Sequence, residues 1–116
     1  GWTPLRYAIE MDNYEMIKYL VEKGANVNFE TSKGWTPLQY AINIEMIKYL
    51  VEKGANVNFQ TNNGWTPLHF ACHRGNLPVV LFLVEKGANV HSTSSDGSTP
   101  LHFACQNSDF EMVKFL

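Results

Sequence analysis

Two short phrases carry donor atoms at regular spacing, His69-Phe-Ala-Cys72 and His102-Phe-Ala-Cys105. Imidazole and thiolate are zinc ligands, and an i, i+3 pair can share one face of a helix. Four such donors close a site only if they converge within about 2.0–2.3 Å of one metal. Helices packed side by side hold equivalent positions about 8–10 Å apart, which works against convergence. No metal site is therefore expected. Nucleophilic chemistry has no better footing. Cys72 and His73 are neighbours in sequence, so on a helix their side chains point about 100° apart. Nothing supplies a nucleophile–base–orienter arrangement. Every glycine is explained by a turn or a cap, which leaves no phosphate-binding loop. The chain reads as non-enzymatic, with no cofactor and no small-molecule substrate.

The elements that would carry these residues follow from self-similarity. "GWTPL" begins at Gly1, Gly34 and Gly64, and "GSTPL" at Gly97, spacings of 33, 30 and 33 residues. "LVEKGAN" closes the units at Leu20 to Asn26, Leu50 to Asn56 and Leu83 to Asn89. Units therefore run 1–33, 34–63, 64–96 and, in part, 97–116. Within a unit, Thr3 suits an N-cap and Pro4 the first helical position, where its missing N–H costs nothing. Leu5, Ala8 and Ile9 form one apolar stripe; Met16, Ile17, Leu20 and Val21 form a second. Gly24 is placed to end the second helix. The turn-rich stretch that follows is long enough for a projecting hairpin-like loop. Neither helix can bury its stripe alone, so neighbouring units must share a core, and the expected fold class is an all-α repeat solenoid.

"TPLHFA" at Thr66 to Ala71 and Thr99 to Ala104, with "GANVN" at Gly24 to Asn28 and Gly54 to Asn58, recurs on this frame. The chain resembles ankyrin repeat proteins over its whole length. That resemblance implies stacked antiparallel helix pairs with β-turn fingers projecting at right angles. It also implies that the TPLH histidine hydrogen-bonds near the repeat junction, and that Asn28 and Asn58 are possible hydroxylation acceptors. Arg6 and Gln39 depart from the pattern at the histidine position, and Asp12 and Ser108 at the inter-helix glycine that Gly75 keeps.

One stretch conflicts with the frame. "AINIEMIKYL" at 41–50 is three residues shorter than "AIEMDNYEMIKYL" at 8–20. Pro37 to Asn43 should be a first helix, yet Ile44 already starts the second, where an αα-hairpin needs about two to five loop residues. A single continuous helix would set its two stripes roughly opposite one another. Two resolutions follow. Either about three residues corresponding to "MDN" belong to the protein here and are missing from the stated sequence, the preferred expectation, or the deletion is real and local fraying supplies the loop. Gly1 opens on an ordinary internal phrase and Leu116 falls within an apolar helix, so the expectation is a portion of a longer array.

Composition bounds the partner. Net charge is −2 and the two arginines are Arg6 and Arg74, so a nucleic-acid footprint is lacking. No apolar run approaches the roughly 20 residues that span a bilayer, so membrane insertion is not expected. Cys72 and Cys105 lie 33 residues apart at equivalent places, which suits two reduced thiols and an intracellular, cytoplasmic setting. A protein partner remains. By resemblance it would be held at finger tips and the concave surface of the first helices. Those positions are Ser32, Lys33 and Trp35; Asn62, Asn63 and Trp65; Ser95, Asp96 and Ser98. Helix ends add Glu10, Met11, His73, Arg74, Gln106 and Asn107. Trp2, Trp35 and Trp65 either pack between fingers or present an aromatic anchor. Tyr19, Tyr49, Phe82 and Phe115 form an aromatic row expected to pack between helices, while Leu81 stands where other units carry lysine and is expected on the back surface. Rival readings are a structural part of a larger fixed assembly, or the targeting module of a longer enzyme-containing chain.

Overall fold

A computed structural model describes residues 3–106 and 110–116. Among these lie eight helices and no strand: α1 Pro4–Glu10, α2 Tyr14–Glu22, α3 Pro37–Tyr40, α4 Ile44–Glu52, α5 Pro67–Arg74, α6 Leu77–Glu85, α7 Pro100–Gln106 and α8 Phe110–Phe115. They fall into two compact units, Gly1–Asn56 and Val57–Leu116. In the first, α1 packs on α2 and α3, and α3 on α4. In the second, α5 packs on α6 and α7, and α7 on α8. Each unit therefore joins two helix pairs through their first helices.

The local signals act as expected in α1 and α2. Thr3 Oγ1 accepts the Arg6 N–H at 3.1 Å, and Leu5, Ala8 and Ile9 are buried. Two backbone bonds close the end of α2, Ala25 N–H to the Leu20 carbonyl and Gly24 N–H to that of Val21, both 3.0 Å. This paired geometry satisfies carbonyls the helix would leave open. The second stripe is only partly buried. Ile17 is enclosed, Leu20 and Val21 are half-buried, and Met16 is exposed. The equivalent Met46 and Tyr49 of α4 are buried, with the Tyr49 ring 5.8 Å from Tyr14 of α2. At the equivalent places of α2, Tyr19 and Met16 are exposed. Phe82 is half-buried and Phe115 exposed, so the aromatic row is enclosed only at Tyr49.

The inter-helix turn shows why glycine belongs there. After α5, Gly75 takes φ +71°, and the Asn76 and Gly75 N–H groups return to Ala71 and Cys72. After α1, Asp12 adopts φ +54° and the same two bonds form, Asn13 to Ala8 and Asp12 to Ile9. A side chain in the left-handed region is strained, though aspartate tolerates it better than most. Ser108 lies outside the described residues.

The shortened unit departs from the expected Pro37–Asn43 helix: α3 stops at Tyr40. Ala41 turns extended at ψ 134°, and Asn43 caps α4 by accepting the Glu45 N–H at 2.9 Å. Residues 41–43 leave the helix and make the reversal. Because Asn43 does for α4 what Asn13 does for α2, the residues without a counterpart are those like Glu10, Met11 and Asp12, one position earlier than "MDN". The consequence is lost burial. Ile42 is 60% exposed where its counterpart Ile9 is 4% exposed.

Inserting Glu-Met-Asp between Ile42 and Asn43 should rebuild the end of α3 and enclose Ile42. Full burial of such a side chain contributes about 2 kcal/mol, to be read as a higher midpoint in urea. A smaller gain, up to about 1 kcal/mol, is expected for Asp12→Gly in thermal melts.

Candidate functional site

The projecting segments are tight turns of one design. Gly34 N–H donates to the Thr31 carbonyl at 2.9 Å and Thr31 N–H to the Trp35 carbonyl at 2.9 Å. Thr61, Gly64 and Trp65 repeat this, as do Ser94, Gly97 and Ser98. The side-chain hydroxyl of Thr31, Thr61 or Ser94 accepts the N–H four residues on, at 3.3, 3.1 and 3.2 Å. A hydroxyl at the first turn position and a glycine at the fourth are thus the local instructions for a finger.

Beneath the fingers, the histidine position ties helix to turn. His69 is fully buried, and its Nδ1 accepts the Thr66 N–H at 3.0 Å. That nitrogen is then the unprotonated one, so Nε2 carries the proton and donates it to the Ser98 carbonyl at 3.0 Å. Burial, opposed by hydrogen bonding to Ser98, holds the imidazole below its ordinary pKa. Gln39 makes the first of these bonds in the second repeat, its Oε1 accepting the Thr36 N–H at 2.8 Å. Arg6 takes a different route and lays its guanidinium over the Tyr40 ring at 4.6 Å. The implied role of the TPLH histidine is therefore observed at His69. It also commits both ring nitrogens, which removes His69 as a metal donor. Among the described residues no three His, Cys, Asp or Glu side chains form a metal-holding group. Cys72 is buried, Cys105 is exposed, and neither forms a disulfide.

A second tie was missed by the sequence reading. Asn28 donates through Nδ2 to the Gly54 carbonyl at 3.0 Å and accepts the Asn56 N–H through Oδ1 at 2.9 Å. Asn58 makes the same pair of bonds to Gly87 and Asn89, at 3.1 and 2.8 Å. The signal was present in the recurring "GANVN", whose last asparagine the resemblance marked only as a possible modification acceptor.

The named surface residues divide by unit. Glu10 and Met11 are exposed at the end of α1, and Ser32 and Lys33 at the first finger tip. Trp35 is half-buried, its ring 4.8 Å from Tyr40. In the second unit Asn62, Asn63, His73, Arg74, Ser95, Asp96 and Gln106 are exposed, and Trp65 and Ser98 are half-buried. Asn107 and Trp2 lie outside the described residues. Two fingers meet here: Ser95 N–H donates to the Asn63 carbonyl at 2.9 Å. A Cβ on Gly64 would come 3.0 Å from the Ser95 nitrogen and 3.1 Å from the Ser94 Cα, at a φ of +78°. Only glycine permits that approach without displacing backbone. Asn63, Trp65, Ser95 and Asp96, with Ser94, line a cleft of about 230 Å³. Trp65 also stacks in an aromatic cluster, 4.5 Å from Phe103, 4.9 Å from Phe70 and 5.5 Å from His73. Its ring therefore packs and borders the cleft at once.

Lysines of the second helices lie against aromatic rings rather than forming a phosphate track. Lys23, Lys53 and Lys86 sit 5.7, 5.7 and 5.8 Å over Tyr19, Tyr49 and Phe82, each four residues earlier. Leu81 is exposed on α6, as expected. Among the described residues, no helix is long and apolar enough to cross a membrane.

Paired helices, hydroxyl-and-glycine fingers and a buried histidine between them define a helical-repeat fold. The family profile described as "Ankyrin repeats (3 copies)" matches residues 1–61 and 43–116, and the chain belongs to that family. Ankyrin repeats generally act as protein–protein interaction modules. A 33-residue stretch, 28% of the chain, is 48% identical to "Ankyrin repeat, SAM and basic leucine zipper domain-containing protein 1" of Carollia perspicillata. The Loxodonta africana and Mus musculus proteins of that name match at 48% and 46% over the same length. The matched stretch spans 7% of each of these relatives.

Because the folded state holds His69 at a depressed pKa, the unfolded chain binds the proton more readily. Stability should be level above the ordinary histidine pKa of about 6.5 and fall as pH drops below it. The loss ends once pH passes the folded value. Urea titrations between about pH 7.5 and 5 should show the slope. His69→Gln, which installs the side chain that the second repeat carries at Gln39, should flatten it.

Proposed function

We propose that the chain is a non-enzymatic protein–protein interaction scaffold, one array of units 1–33, 34–63, 64–96 and 97–116. It holds a protein partner by its finger tips and the exposed ends of its first helices. One observation carries this reading. The hydrogen bonds that build the fingers recur unit after unit, while the exposed residue before each turn glycine changes from Lys33 to Asn63 to Asp96. A constant frame with tips of positive, neutral and negative charge suits a surface that reads one partner against another. The partner-contacting set is Glu10, Met11, Ser32, Lys33, Trp35, Asn62, Asn63, Trp65, His73, Arg74, Ser95, Asp96, Ser98, Gln106 and Asn107.

Exposed Leu81, with Tyr19 and Met16 on α2, favours a second reading, a component of a fixed assembly contacted along the second helices. The relatives' names join ankyrin repeats to other domains, which supports service as a module within a longer chain.

The test compares partner capture by the parent, a Lys33/Asn62/Asn63 triple-alanine variant and Leu81→Lys. Alanine at the two tryptophans is less informative because Trp65 packs on Phe103. The scaffold reading expects the triple variant to lose about ten-fold in recovery, with an unchanged melt, and Leu81→Lys to lose none. The reverse pattern would establish the fixed-assembly reading, and full recovery by both variants would remove the two together.

A further inference from the structure

The fingers at 61–65 and 94–98 border one cleft. Asp96 supplies the only acid at the residue before a finger glycine, since Lys33 and Asn63 hold the equivalent places. Its Oδ1 accepts from Ser94 Oγ and from the Ser98 N–H at 3.1 Å. Those bonds aim the carboxylate and leave the side chain open to solvent. Across the cleft stands the half-buried Trp65 indole, backed by Phe103 and Phe70. The walls are not free to drift apart, because the Ser95–Asn63 bond and the close approach at Gly64 lock one finger to the other.

We propose that this cleft receives a basic side chain, the guanidinium of arginine or the ammonium of lysine, from an extended segment of a protein partner. The inference rests on the scaffold reading and names what one pair of fingers recognises. An aromatic face attracts a cation, and a carboxylate beside it adds charge and hydrogen bonding. A cleft of about 230 Å³ falls below the roughly 300–1,000 Å³ of small-molecule pockets and suits one side chain. An anionic group would meet Asp96, and an aliphatic one would desolvate the carboxylate without return. Hydrogen bonds from Ser94 and Ser98 keep that carboxyl below its ordinary pKa, so it stays charged at neutral pH. The net charge of −2 draws cationic segments in the same sense.

The test is a nuclear magnetic resonance titration of the ¹⁵N-labelled protein with three blocked tripeptides, Gly-Arg-Gly, Gly-Lys-Gly and Gly-citrulline-Gly. Citrulline keeps the shape of arginine and removes its charge. At least one cationic peptide should shift the Trp65 indole and the Ser95 and Asp96 amides saturably, with millimolar affinity. Citrulline should bind about ten-fold more weakly. Asp96→Asn, which keeps an acceptor for Ser94 and Ser98, should weaken the cationic peptide about three-fold. Equal shifts from citrulline, or no shifts at these residues from either cation, would overturn the proposal. That comparison uses the unaltered protein, so a misfolded variant cannot blur it. It also contains no natural partner, so it can fail while the capture experiment succeeds.

Discussion

His69 holds the start of its own helix with one ring nitrogen and the carbonyl of Ser98 with the other. A neutral imidazole has one acceptor and one donor, and here each has a single assignment. Removing either bond would strand a buried polar group, which costs more than the bond itself contributes. The finger at 94–98 is thereby anchored from below by a residue of the preceding repeat. The tautomer, the depressed pKa and the exclusion of His69 from metal chemistry all follow from that one arrangement.

The asparagine ties do comparable work at the outer end. Asn28 and Asn58 each satisfy one backbone acceptor and one backbone donor in the loop after the next second helix. A carboxamide suits this because it carries both functions about as far apart as a peptide does; a carboxylate could only accept. These ties repeat with the sequence. At the equivalent of the two asparagines the third repeat has His91, so the pattern of the frame changes there. The hydroxyl and glycine of the finger turn recur in all three fingers, whereas the asparagine and histidine ties change from repeat to repeat.

The short second repeat shows which local signals hold when the inter-helix turn is three residues shorter. Here α3 and α4 stay separate helices, since one continuous helix would set their stripes apart. The first helix ends about one turn early and leaves Ile42 exposed, while the Thr36–Gln39 start and the Asn43 cap are present. The parts retained are those that satisfy backbone donors at helix starts; the part given up is one side chain's burial. Expecting a helix to Asn43 overlooked that Asn43 is worth more as a cap than as a last helical residue.

Periodicity and capping residues in the sequence were enough to determine the helix pairs, the finger turns and the shared-core architecture. Pro4 and Thr3, Gly24 and the two apolar stripes act within a few residues of one another, and short-range chemistry is legible from spacing. The tertiary structure alone decided which of the matching residues are buried, since Met16 and Met46 share a motif, yet the first is exposed and the second buried. It alone joined Asn63 and Trp65 to Ser95 and Asp96, some 30 residues away, across one hydrogen bond and a glycine contact. Spacing cannot report that juxtaposition, because it depends on how closely two backbones approach.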